Sequence, residues 1–60
     1  MILKFKNSHG EWEYVSCDRP VVKKNEDSAD VTLNNGAEGY HLMSEAYLLN
    51  DHGQTIERLN

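Results

Sequence analysis

The sequence predicts an all-β domain, a small antiparallel meander curling into a sandwich or open barrel. Three observations carry that reading. Apolar and polar residues alternate with period two in Ile2-Leu3-Lys4-Phe5-Lys6, in Asp30-Val31-Thr32-Leu33-Asn34 and in Gln54-Thr55-Ile56-Glu57. Turn-forming clusters punctuate these stretches, at Asn7-Ser8-His9-Gly10, Asn35-Gly36 and His52-Gly53. The chain has 60 residues, of which 38% are apolar and 27% charged, which allows one domain over 1–60 and leaves no room for a second core.

The first element is a strand over Met1 to Lys6. Folding back around Asn7-Ser8-His9-Gly10 pairs Lys6 with Glu11, Phe5 with Trp12, Lys4 with Glu13 and Leu3 with Tyr14. This register sets two opposite-charge pairs on one face and an aromatic and aliphatic cluster on the other, so it predicts Phe5, Trp12 and Tyr14 in the core. A slip of one residue would put the lysines opposite the aromatics and invert both faces. Asp18-Arg19-Pro20 ends the second strand, with Arg19 held extended by the proline that follows it.

A short third strand begins at Val21-Val22, and the polar run Lys23 to Ser28 reads as a loop. Around Asn35-Gly36, a dipeptide suited to the positive φ angles of a type I′ turn, Val31 pairs with Tyr40 and Leu33 with Glu38. Residues 40–52 carry two periodicities. Tyr40, Met43 and Tyr47 recur at helical spacing, as do Leu42, Ala46 and Leu49, so the alternative architecture is α+β with one helix at 40–52. Against it, a hairpin around His52-Gly53 pairs Leu49 with Ile56, Leu48 with Glu57 and Ala46 with Leu59, and strands are favoured. No internal repeat is read in the chain. The meander would leave the strands at 1–6 and 54–59 as open edges.

So short a chain buries only about 60% of its unfolded surface, and its isolated stability is expected to be marginal. Cys17 is the one cysteine and excludes an internal disulfide, so self-association or burial against a partner becomes the expected remedy. A lone thiol with no hydrophobic leader predicts a reducing, cytoplasmic setting. The longest apolar runs, such as Met1-Ile2-Leu3, fall far short of the ~20 residues of a membrane-spanning helix. The net charge of −4 is unevenly divided, with residues 1–24 basic on balance and residues 25–60 strongly acidic. Such a chain repels a phosphate backbone unless its cations gather on one face.

The chemistry-bearing residues form no catalytic pattern. His9, Cys17, His41 and His52 lack the close paired spacings of zinc sites, and Cys17 reads as a packed thiol. Glu11 and Glu13 each face a lysine that would keep them ionised. The glycines of Asn35 to Gly39 lack the Lys-Ser/Thr and the strand-to-helix context of a phosphate loop, and Ser8-His9-Gly10-Glu11 matches a capping box that no helix follows. No cofactor or metal is implied and no enzyme is expected. The expected function is that of a protein–protein interaction module, an accessory or inhibitor protein of the phage or mobile-element kind. Its contact residues would be Glu45, Tyr47, Asp51 and Glu57 facing a basic protein surface, with Trp12 as a second anchor. The alternative is a small β-domain that holds single-stranded nucleic acid through Phe5, Trp12 and Tyr14 with Lys4, Lys6, Arg19, Lys23 and Lys24. The expected register weighs against it, because it separates the rings from Lys4 and Lys6.

Overall fold

The computed structural model describes residues 1–34 and 36–60 and contains seven strands and no helix among them. Strands β1 (Ile2–Lys6), β2 (Trp12–Ser16), β6 (Ala46–Leu49) and β7 (Thr55–Arg58) form a four-stranded sheet in the order β2-β1-β6-β7. Strands β3 (Val21–Lys24), β4 (Ala29–Leu33) and β5 (Glu38–Leu42) form a three-stranded sheet in that order. All pairings are antiparallel. The all-β sandwich read from the sequence is therefore the fold. The helical alternative over 40–52 does not form: Leu42, Ala46 and Leu48 are all buried, but from strands in different sheets, while Met43 between them is 72% exposed.

The core lies between the sheets. Leu3 and Phe5 from β1, Ala46 and Leu48 from β6, and Leu59 after β7 pack against Ala29, Val31 and Leu33 from β4 and Leu42 from β5, with Cys17 at one end. β4 is the central strand of its sheet and alternates buried with half-buried positions throughout. Its pairing with β5 sets Val31 opposite Tyr40 and Leu33 opposite Glu38, as the sequence predicts. The type I′ turn read at Asn35-Gly36 falls partly on Asn35, which lies outside the described residues.

The topology departs from a simple meander. β1 is not an edge but a central strand, hydrogen-bonded on one side to β2 and on the other to β6. Its two inward residues explain why: Leu3 is fully buried and Phe5 nearly so, which requires neighbours on both flanks. The edges of this sheet are β2 and β7. β3 runs on through Lys23 and Lys24, paired with Asp30 and Ala29, so the loop expected over 23–28 is confined to 25–28. Arg19 is not extended; its φ is +49°, in the turn that carries the chain from β2 into the other sheet. Asn34 N–H donates to Asp18 C=O across 3.1 Å at the same place, tying the two sheets together.

The largest correction concerns the first hairpin. Lys6 faces Trp12, Phe5 faces Glu13, Lys4 faces Tyr14 and Leu3 faces Val15, a slip of one residue from the expected pairing. The turn decides it. Asn7 N–H donates to Glu11 C=O (2.8 Å), Gly10 N–H donates to Asn7 C=O (3.0 Å), and Asn7 Oδ1 accepts from both His9 N–H (2.9 Å) and Glu11 N–H (3.0 Å). Gly10 sits at φ +78°, completing a three-residue loop. These bonds are worth about 0.5–1.5 kcal/mol each, against about 0.2–1 kcal/mol for each exposed ion pair of the alternative register. Two inward rings of Trp12 and Tyr14 would also bring about 150–250 Å² apiece into an interior this small, whereas Val15 fits there.

The β6–β7 turn repeats the device. Asn50 N–H donates to Gln54 C=O (2.9 Å) and Gly53 N–H to Asn50 C=O (3.0 Å). Asn50 Oδ1 accepts from His52 and Gln54 N–H, with Gly53 at φ +81°. Asn7-Ser8-His9-Gly10 and Asn50-Asp51-His52-Gly53 are thus one motif used twice, a short repeat that the sequence reading missed. In this hairpin Leu48 faces Glu57 as expected, but a bulge between Leu48 and Leu49 puts Thr55, not Ile56, opposite Leu49.

Candidate functional site: the outer face of the four-stranded sheet

The shifted register decides what this sheet presents to solvent. With Leu3 and Phe5 inward, alternation turns Lys4 and Lys6 outward from β1, Trp12 and Tyr14 from β2, Tyr47 from β6 and Arg58 from β7. Tyr14, Lys4, Tyr47 and Arg58 stand in register across all four strands, and Trp12 faces Lys6. The rings expected in the core are therefore on the surface: Tyr14 is 61% exposed and Trp12 38%.

Rings and cations touch throughout this face. The Lys4 ammonium lies 4.6 Å from the Trp12 ring centroid and 5.9 Å from those of Tyr14 and Tyr47. Lys6 Nζ is 5.3 Å from the Trp12 ring, the Arg58 guanidinium is 5.8 Å from Tyr47, and the Trp12 and Tyr47 rings stand 6.1 Å apart. Such contacts contribute about 0.5–1 kcal/mol each at exposed sites. Within the four strands no acidic residue holds an outward position. Glu45, at the end of β6, accepts a hydrogen bond from the Tyr47 hydroxyl (3.1 Å) and lies 3.7 Å from Lys6 Nζ.

Of the five residues singled out in the sequence, the structure brings Trp12, Tyr47 and Glu45 together and leaves Asp51 and Glu57 elsewhere. Asp51 is in the β6–β7 turn, its carboxylate 2.9 Å from the Met1 amino nitrogen. Glu57 faces Leu48, on the side of the sheet toward β3, and binds Lys24 Nζ at 2.9 Å. All three carboxylates thus have a cation beside them. Lys4, Lys6 and Tyr14 join the face although the sequence reading set the two lysines on the opposite side. Arg58 was not singled out; its signal is its place in β7, one residue after Glu57, which points inward.

Other chemistry-bearing groups stay apart from this face. His41 Nδ1 lies 2.6 Å from Asp30 Oδ1, across neighbouring strands on the outer side of the three-stranded sheet. The hydrogen bond from His41, and after it one from Asn25 Nδ2 at 2.9 Å, hold the Asp30 carboxyl below its ordinary value. Burial pushes the Cys17 thiol up. No three His, Cys, Asp or Glu side chains gather as metal ligands among the described residues, and no helix there is long and apolar enough to cross a membrane.

The comparisons with known proteins leave the chain to its own residues. No protein-family profile, no curated protein and no solved structure matches it. What the face can do is set by its parts. Exposed rings offer flat apolar surface, and the cations between them favour an anionic partner that brings planar groups of its own.

Proposed function

We propose that this chain is a non-enzymatic binding module whose working surface is the outer face of the four-stranded sheet. One observation carries the reading: three aromatic rings and three cations interleave on a sheet face whose four strands turn no acid outward, with Glu45 at its margin beside Lys6, on a molecule whose net charge is −4. A solvated acidic surface needs no such arrangement. The partner that this face fits is anionic, where the acidic half of the sequence suggested a basic one.

Edge pairing with a partner strand is the weaker alternative. β7 is an exposed edge, but the bulge at Leu48 and Leu49 and the charges of Glu57 and Arg58 blunt it, as natural edge strands are protected. Interaction modules of this size also gain stability from their partner, which offsets the small core.

The test uses Trp12, the one tryptophan, as its own reporter. Its emission is followed while polyphosphate, polyglutamate, oligothymidylate and polylysine are added separately at low salt. The reading expects a saturable change with at least one anionic polymer, lost when Lys6 and Arg58 are replaced together by Glu. A response to polylysine alone, or to none of the four, overturns it.

A further inference from the structure

Resting on that reading, we infer that the anionic partner is single-stranded nucleic acid, lying across the strands with its bases on Trp12, Tyr14 and Tyr47 and its phosphates near Lys6 and Arg58. An acidic protein surface would use the cations and leave the rings without counterparts. A single strand uses both, because every base has a face that stacks on an aromatic ring and every linkage carries a charge for a cation to neutralise.

The geometry suits this occupant. Tyr14 and Tyr47 flank Lys4, each ring 5.9 Å from its ammonium, and Trp12 continues the path 6.1 Å from Tyr47. Neighbouring strands in a sheet are about 4.8 Å apart, so the rings form a stepped row rather than one stacked column; Tyr14 is the most open of the three, Trp12 less so, and Tyr47 is half-buried with Lys4 and Arg58 beside its ring. Lys4 braces all three rings before any ligand arrives, which lowers the cost of ordering them on binding. Duplex offers only edges and backbone to such a surface, since its base faces are already stacked on one another. The chain's overall negative charge does not forbid binding, because beyond about 10 Å at moderate salt the distant carboxylates are screened.

The experiment measures binding of a labelled oligothymidylate by anisotropy, beside an abasic deoxyribose-phosphate polymer of equal length, a duplex and polyglutamate. The single strand should bind at least about tenfold more tightly than the other three, in line with the stacking contribution of each base. Tyr14→Ala and Tyr47→Ala should each weaken it by about tenfold, while Tyr14→Phe, which keeps the ring, should bind as the parent does. Raising salt should weaken binding with a log–log slope of about −0.7 per neutralised phosphate, and Arg58→Gln should flatten that slope by about one such step. Equal binding of the abasic polymer or of polyglutamate would overturn the nucleic-acid assignment while leaving the anion-binding face in place. Failure of every anionic polymer to bind would overturn both.

Discussion

Lys4 and Tyr47 face each other across β1 and β6 at the centre of the four-stranded sheet, and the two hairpins are related by an approximate two-fold axis through that pair. The relation follows from the two Asn-x-His-Gly turns. Lys4 stands three residues before Asn7, and Tyr47 three before Asn50. Each hairpin places its first strand centrally and its second at an edge, with the turns at opposite ends of the sheet. The outer face is therefore built twice over from one plan, with Lys4 and Tyr47 as the matched positions.

This pairing makes a measurable coupling. In a double-mutant cycle, Lys4→Met and Tyr47→Leu should couple by about 0.5–1 kcal/mol in folding stability, the size of an exposed cation–π contact. Lys4→Met and Glu13→Gln should couple by roughly zero, because Glu13 faces Phe5 and not Lys4. Denaturant unfolding of the parent, the three single variants and the two double variants checks both, and a sizeable Lys4–Glu13 coupling would restore the alternative register.

The turns yield a second contrast. Gly10→Ala and Gly53→Ala should each cost about 1–2 kcal/mol, since both glycines hold positive φ although a Cβ would meet nothing at either place. Gly39→Ala, in β5 at an ordinary φ and also with open space, should be neutral or stabilise by about 0.5 kcal/mol through the unfolded chain. Thermal melts of the three variants separate backbone conformation from packing.

Asn60 fastens the crossing between the sheets. Its Oδ1 accepts from Ala46 N–H at 3.0 Å, and its Nδ2 donates to Leu42 C=O at 3.2 Å and to Ser44 C=O. Asn60→Ala takes this partner from the partly buried Ala46 N–H and Leu42 C=O and should cost about 1–3 kcal/mol. Hydrogen exchange should show the loss first at Ala46 N–H; unchanged protection there would refute the role.

Acid should expose the Asp30–His41 contact. Asp30 titrates below its ordinary value of 3.8 when folded, so the stability it contributes is present above that value and is lost as pH falls through the depressed one. The parent chain should therefore lose stability in that acid window, and Asp30→Asn should lose less across it. Melting temperatures compared at mildly and strongly acid pH give the sign, and equal acid loss in both chains would contradict it.

What the sequence reveals depends on how local the deciding interaction is. The β4–β5 register is legible because Val31 and Leu33 alternate toward one face and the loop between the strands is short. The β1–β2 register is not, because pair counting favours Lys4 opposite Glu13, while the competing bonds come from a single asparagine side chain and a glycine whose φ must be positive. The central place of β1 is also hidden, since its partner β6 lies more than forty residues away in the chain. For the face, the residue types Trp12, Tyr14, Lys4 and Lys6 are visible as a group, but their side of the sheet turns on that one-residue slip. Arg58 joins them only once β7 is set against Tyr47.

The most direct test of the account is collisional quenching of Trp12 emission by iodide and by caesium. A half-exposed ring between Lys4 and Lys6 should be quenched by both ions and more efficiently by iodide, which the local positive charge attracts, with that preference falling in Lys6→Glu. A Trp12 shielded from both ions, as the register that buries it would require, or one quenched preferentially by caesium, would contradict the claim that this face is open, aromatic and cationic.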